Sequence, residues 1–588
     1  MDWEARKRWL TAIEWMQAYD TDALKADLVA GAVVTMMLIP QSLAYALLAG
    51  MPPETGLYAS MLPLFAYAIF GSSRTLSVGP VAIVSLMTMV ALSNVVEPGS
   101  TDYISAAVTL ALLSGTFLLI MGLFNFGFVA NFLSHTVVSG FITASGIIIA
   151  LSQVRHLLGV TANGDTLPKI VTSLFENIDQ LHIVTLVLGI AVLGFLFWAR
   201  TGIVKLFIHV GVTRENANLI AKGAPIVGVI ATIILVSLFH LDKQGVSVIG
   251  NIPAGLPQLT WPEISLDLIE QLWISALSIA VIGYVESVSV GKTLAAKQRQ
   301  KIDNNKELIG LGVANIASAF SGAFPVTGGL SRTVVNYDAG AVTQAAGIYA
   351  AIGIALASLY LAPAMYYLPK ATLAATIIIA VLALLDFSIL KKTWNFSKSD
   401  FLAVVSTIFG TLLLGVEAGV AFGVLLSLLL FLYRSSIPHI AEVGLIEGTQ
   451  HFRNIKRFHV TTYPEILNLR VDESLFFANA TCLEDCIYQR LYDDDRISHV
   501  VLICSAINEI DFTAMEVLYA VNDRLLEQGV MLHLSEVKGP VIDSLRFSGF
   551  LENLSGRVYL SQFAAFESLI TCINPESPCL NNGGNHGA

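Results

Sequence analysis

From about residue 25 to 435 the chain repeats long apolar stretches separated by short polar ones. Each is close to the about 20 helical residues that cross a bilayer. They lie near 25–49, 55–71, 78–95, 102–122, 128–151, 181–200, 221–240, 268–290, 306–323, 328–339, 342–362, 367–386, 399–414 and 416–434. The pattern predicts an α-helical polytopic membrane protein of fourteen spans, the third and tenth of them short. After Arg434 the texture changes. Strand-like runs (Ile466–Asn479, His499–Cys504, Val530–Ser535) alternate with helix-like stretches (Leu483–Leu491, Thr513–Gln528, Pro540–Phe547), and a last strand and helix cover 557–572. Such alternation predicts a small α/β domain with a mostly parallel sheet. The expected organisation is an N-terminal segment 1–24, a membrane domain 25–435, a linker 436–457, an α/β domain 458–573, and an Asn/Gly/Pro-rich tail 574–588 expected to be disordered.

Composition agrees. Of 588 residues, 55% are hydrophobic and 13% charged, and mean hydropathy is +0.70; a soluble chain has about 25% charged residues. A soluble enzyme, a disordered chain and a secreted disulfide scaffold are excluded. The charged, aromatic first twenty residues are not a signal peptide. With the N-terminus inside, thirteen Lys/Arg fall in cytoplasmic loops (Arg74; Arg200, Lys205, Arg214, Lys222; Lys292, Lys297, Arg299, Lys301, Lys306; Lys391, Lys392, Lys398) and four outside (Arg155, Lys169, Lys243, Lys370). This bias predicts that both termini are cytoplasmic, in a cell's inner (plasma) membrane. From Lys456 to Cys572 there are 9 Lys/Arg against 17 Asp/Glu, which argues against nucleic acid as a partner. All five cysteines (Cys482, Cys486, Cys504, Cys572, Cys579) lie in that last part. No matching His/Cys set accompanies Cys482 and Cys486, so free thiols are expected rather than a metal site, and no cofactor is expected.

Two features of the apolar body occur twice. Polar groups sit mid-span at Gln41 to Tyr45 and at Tyr284 to Ser289, and Gly/Pro breaks fall at Ser77-Val78-Gly79-Pro80 and Pro325-Val326-Thr327-Gly328-Gly329. A shift of 245 residues superposes Gln41 on Glu286 and Pro80 on Pro325. That is what a duplicated seven-span half leaves; seven being odd, the second copy enters the membrane inverted. Inverted repeats with matched broken helices mark a secondary transporter with a midplane site.

A helix that starts in mid-membrane presents unpaired N–H groups and a partial positive charge. Two such starts, near Gly79 and Gly329, suit an anion. Ser77, Thr327 and Ser331 can add hydroxyl donors, and Arg332 adds a full charge. Glu286 is costly in a span unless paired, hydrated or protonated, and low dielectric favours its neutral form. It can carry a proton or bind a coupling cation; the bland alternative is a structural pair with Arg332 or Lys292.

At these residues the sequence resembles the SulP sulfate-permease family, solute carrier family 26 in animals. The stretch from Pro40-Gln41-Ser42-Leu43-Ala44-Tyr45 through Gly50 and Pro53 to Gly56-Leu57-Tyr58-Ala59-Ser60 is similar to that family's signature. Ser77-Val78-Gly79-Pro80 and Gly328-Gly329-Leu330-Ser331-Arg332-Thr333 resemble its span-3 and span-10 starts, and the C-terminal domain resembles a STAS domain. The resemblance implies fourteen spans in two inverted repeats, a core moving against a gate in an elevator-like motion, and a homodimer. It implies an anion site of Gln41, Tyr45, Val78, Gly79, Ala82, Gly329, Leu330, Ser331 and Arg332, with Glu286 at the acidic position of proton-coupled members. In the STAS domain, Asp511-Phe512-Thr513 departs from the Asp-Ser order of phosphorylated relatives, so Thr513 is expected first to cap its helix, with Asp511 and Thr513 as a candidate regulatory site in second place.

The expected function is secondary active inorganic-anion transport, foremost proton–sulfate symport. Bicarbonate or dicarboxylate transport, coupled to protons or sodium, is the near alternative. A passive anion channel needs no Glu286; a nucleobase permease would want acidic or amide groups in place of Arg332. No nucleophile–base pair or metal-spaced His set among the spans points to an enzyme, and no output module follows residue 575 to suggest a receptor. A cytoplasmic protein partner of the STAS domain stays open.

Overall fold

The computed structural model describes residues 11–17, 19–97, 100–131, 134–162, 164–214, 217, 221, 223–262 and 265–573. The expected tail 574–588 with Cys579, residues 1–10, Lys222 and the side chain of Arg200 lie outside the described residues. The chain divides into two compact units, Met1–Ser427 and Leu428–Ala588.

The first unit is helical, and every segment expected to span holds a helix. Five described helices are long and apolar enough to cross a membrane alone: Thr21–Leu48 (α1), Asp102–Leu123, His135–Leu158 (α3), Leu266–Lys297 (α4) and Val416–Ser436. The second expected span is broken into Pro53–Tyr58 and Leu62–Phe70, where Pro52 and Pro53 and then Pro63 mark the helix starts. Spans three and ten are the short helices Ala82–Ser93 (α2) and Leu330–Asp338 (α5). Lys370–Leu382 (α6) is the helix of the expected twelfth span.

The repeat is visible in the elements. α1 begins at Thr21 and α4 at Leu266, the same 245-residue shift, and Gln41 and Glu286 each lie twenty residues into their helix. Before α2, Val78–Gly79 (β1) pairs antiparallel with Thr327–Gly328 (β2) before α5, Val78 opposite Gly328 and Gly79 opposite Thr327. Antiparallel pairing of matching segments has the local two-fold symmetry that an inverted duplication requires. The two strands differ by 249 positions rather than 245, so Pro80, which follows β1, and Pro325, which precedes β2, are not counterparts in the structure despite their 245-residue spacing.

The second unit is a six-stranded sheet with helices. Its strands are Ile440–Leu445 (β3), Phe452–Asn454 (β4), Ile466–Val471 (β5), His499–Ile503 (β6), Met531–Ser535 (β7) and Val558–Tyr559 (β8), in spatial order β4-β3-β5-β6-β7-β8. β5 to β8 run parallel, connected by helices that include Ala480–Asp493 (α7) and Phe512–Glu527 (α8). β3 joins β5 antiparallel, and β4 joins β3. The segment 436–457, expected as a linker, carries β3 and the edge strand β4. β5 also ends at Val471, well short of the expected Asn479. The buried apolar rows Leu467, Leu469 and Val500, Leu502 and Leu532, Leu534 close the core against α7 and α8. At one end of the sheet His533 Nδ1 accepts the Arg557 N–H (3.1 Å), which leaves Nε2 to donate to His499 Nδ1 at 3.1 Å. Burial pushes His533 down to about 4.

Candidate functional site

Two half-helices begin at the strand pair. α5 has Gly329 at its N-cap and α2 has Val81, and neither end has a side-chain cap. Gly329 N–H is used by the Ser77 carbonyl (3.1 Å). The N–H groups of Leu330, Ser331 and Arg332, and of Ala82, Ile83 and Val84, are the first-turn donors that a helix leaves unpaired. The extended break is pinned from both sides. Asn315 pairs with both backbone groups of Val326 (2.8 and 2.9 Å). On the α4 side, Thr327 Oγ1 donates to the Gly283 carbonyl at 2.7 Å, and Ser287 Oγ accepts the Gly328 N–H at 2.9 Å. Thr327, expected as an anion donor, is therefore committed to holding the break against α4.

Between the half-helices lies a small cavity lined by Gln41, Tyr45, Val81, Ala82, Ile83, Glu286, Gly329, Leu330, Ser331, Arg332, Ala380 and Leu384. It amounts to about 30 Å³, on a scale where one buried water takes about 10–15 Å³. Seven of the nine residues expected to bind the anion line it, and so does Glu286. Val78 and Gly79 are not among its lining residues. The half-helix starts at Ala82, three residues beyond Gly79, because Gly79 and Pro80 are spent on the extended break. Gly79 matters instead as a close neighbour of Arg332: a Cβ there would lie 3.2 Å from Nη1, and one on Gly329 2.8 Å from Nη2. Both glycines thus make room for the guanidinium.

Arg332 is 2% exposed, and its Nη1 and Nη2 have no hydrogen-bond partner. Glu286 is 8% exposed, and its Oε2 has none. Among the described residues no ion pair joins Glu286 to Arg332 or to Lys292. An unsatisfied buried charge costs several kcal/mol, and a cation and two helix starts facing one cavity offset that cost when an anion fills it. Two other buried carboxylates show the contrast. Glu307 accepts from Tyr67 Oη (2.8 Å), Ser72 N (2.8 Å), Ser72 Oγ (2.7 Å) and Ser73 N (2.8 Å). Asp27 accepts from Val342 N (2.7 Å) and Thr343 N (3.1 Å). Both staple helices together, while Glu286 keeps an oxygen free.

The sulfate permease family profile matches residues 24–407, and the STAS domain profile matches residues 457–563. The chain belongs to the sulfate permease family. Among similar relatives, "Sulfate transporter 4.1, chloroplastic" of Arabidopsis thaliana is 36% identical over 93% of this chain and 79% of its own length. Sulfate transporter 3.1 of the same plant is 31% identical over 94% of this chain and 85% of its own. The fold is that of the murine Solute Carrier 26 family member A9 anion transporter solved in the inward-facing state, with a TM-score of 0.86 at 23% identity over 97% of this chain and 95% of that one. The membrane domain of the cyanobacterial bicarbonate transporter BicA matches with a TM-score of 0.59 at 22% identity, covering 68% of this chain and 98% of that one. The permease's C-terminal unit is accordingly a STAS domain, and the chain is a multi-pass membrane protein of a transporter family.

Residues missed by sequence reasoning are Val81, Ile83, Ala380 and Leu384, apolar side chains that no polar signal sets apart in a hydrophobic span. In the STAS domain the cap is also reassigned. Asp511, not Thr513, is the N-cap of α8: one carboxylate oxygen accepts Ala514 N–H (2.8 Å) and the other Phe477 N–H (2.8 Å). Thr513 sits exposed inside the first turn. Among the described residues no group of three His, Cys, Asp or Glu could hold a metal ion.

Proposed function

We propose that this permease is a secondary active inorganic-anion transporter, foremost a proton-coupled sulfate symporter. The observation that carries the reading is the unpartnered, buried guanidinium of Arg332 facing one cavity with two half-helix N-termini and Glu286. Charge matching favours a dianion. Each helix start contributes roughly half a positive charge, and Arg332 contributes a whole one, so together they neutralise sulfate. None is left over for an ionised Glu286, so the dianion and the carboxyl proton bind together, each favouring the other by linkage. A monoanion such as bicarbonate leaves Glu286 free to stay charged, which would uncouple it from protons. The sulfate transporters among its relatives point the same way.

Four elements, α1, α2, α4 and α5, supply the polar groups, whereas Ala380 and Leu384 form an apolar wall. A wall without hydrogen bonds supports elevator-type alternating access, in which the site-bearing helices slide past it. A homodimer in the plasma membrane with both termini cytoplasmic, and a cytoplasmic protein partner for the STAS domain, complete the proposal. Purified protein in liposomes, offered labelled sulfate, bicarbonate or succinate under imposed proton or sodium gradients, tests it. Concentrative uptake of sulfate on a proton gradient is expected; concentration of only bicarbonate, or only on sodium, would refute it.

A further inference from the structure

A second cavity of about 220 Å³ shares Glu286, Leu330 and Leu384 with the anion site and extends along α4 to Lys297. Its walls have unlike chemistry. α4 contributes Glu286, Ser289, Thr293 and Lys297, spaced three to four residues apart and so on one helix face. α5 contributes Leu330 and Val334, and α3 contributes Val138 and Ile142. A single polar track therefore runs through apolar walls for eleven residues, about 16 Å at the helical rise. Ser289, Thr293 and Lys297 are exposed, whereas Val290 and Leu294 of the same helix, which also line the cavity, are buried. Among the described residues Lys297 is the only cation lining this cavity, at its far end, with its ammonium 6.0 Å from the Tyr337 ring centre. Thr293 Oγ1 donates its proton to the Ser289 carbonyl (2.8 Å), so of the two hydroxyls on this face Ser289 is the one that can donate to an anion.

We propose that Lys297 captures the anion at the cytoplasmic mouth and that the cavity leads it past Ser289 to Arg332. This rests on the anion-transport reading above. A lone lysine at a low-dielectric funnel raises the local anion concentration, an effect that salt screens. It acts on the face where α4 ends and not on the opposite one. Lys292 lies on the same helix but does not line the cavity.

Initial sulfate flux is measured in everted and in right-side-out vesicles carrying the full chain. For K297Q, the half-saturating sulfate on the cytoplasmic face rises about three- to tenfold at low ionic strength. The difference shrinks below about twofold at about 0.5 M salt. K297R restores the wild-type value, K292Q leaves it unchanged, and the external half-saturation does not move. Unchanged cytoplasmic half-saturation in K297Q, an equal shift on both faces, or a shift on the external face alone would overturn the assignment while leaving anion transport intact. A wild-type chain that moves no anion in either vesicle would refute the transport reading and this assignment with it.

Discussion

Replacing Glu286 by Gln fixes the carboxyl position in a neutral, nearly isosteric form. Glu286 and Arg332 line one cavity of about 30 Å³, so a bound anion lies beside both. A dianion about 6 Å from an ionised carboxylate, at an effective dielectric of about 20, is disfavoured by about 5 kcal/mol. That is more than three decades in affinity, enough to make sulfate and an ionised Glu286 nearly exclusive. Each proton carried per anion converts one unit of pH gradient into about 1.4 kcal/mol, a tenfold accumulation. The E286Q site resembles its protonated state permanently. Sulfate binding stays within about threefold of wild type, and sulfate–sulfate exchange continues, since neither needs a proton to leave. Accumulation against a gradient collapses to the level that a membrane potential alone supports. The assay is counterflow and pH-driven uptake of labelled sulfate in the same liposomes. E286Q protein that still concentrates sulfate tenfold per pH unit would refute the reasoning, as would E286Q protein that no longer binds sulfate at all.

The other expectations follow from neighbouring geometry. R332A removes a charge-assisted contact of about 1.5–3 kcal/mol, so sulfate affinity falls about ten- to hundredfold and a monovalent anion loses less; equal losses, read by competition for uptake, would count against a direct charge role. G329A sets a methyl 2.8 Å from Arg332 Nη2 and should raise half-saturating sulfate about tenfold without lowering the amount of folded protein, as followed by size-exclusion in detergent; unchanged transport would show that the guanidinium moves freely. D511A forfeits the α8 cap, about 1 kcal/mol, and hydrogen exchange at Ala514 and Phe477 should quicken, whereas T513A leaves both amides as they were. His533 is held at about 4, below its ordinary 6.5, so the unfolded chain takes up its proton first as pH falls. Its contribution to STAS stability is full above about 6.5 and is lost down to about 4. Exchange of the β7 amides should accelerate across that window, and a flat profile would contradict it.

Charge scarcity made much of the site readable. Arg332 beside a Gly-Gly break and Glu286 at the 245-residue echo of Gln41 stand out in spans that are otherwise apolar. Sequence alone could not separate Glu286 from Asp27 and Glu307, since all three are lone carboxylates near or in apolar helices. Their hydrogen-bond partners, which come from residues up to 316 positions away, decide which one is free. Gly79 and Pro80 signal a break without saying how long it stays extended, so the sequence puts the start of α2 three residues early. Thr327 has the residue type of an anion donor, but its hydroxyl holds the Gly283 carbonyl, a contact no local pattern announces. β3 and β4 were missed because Ile440–Leu445 and Phe452–Asn454 are short and sit at the antiparallel edge, where the run of apolar residues is weakest.

The most direct test loads liposomes containing the purified permease with a pH-sensitive dye and imposes only an inward sulfate gradient. Proton-coupled entry should acidify the lumen in step with sulfate uptake, and E286Q protein should take up sulfate with no acidification. Sulfate entry through the wild-type chain at constant internal pH would contradict the link between Glu286 and the anion.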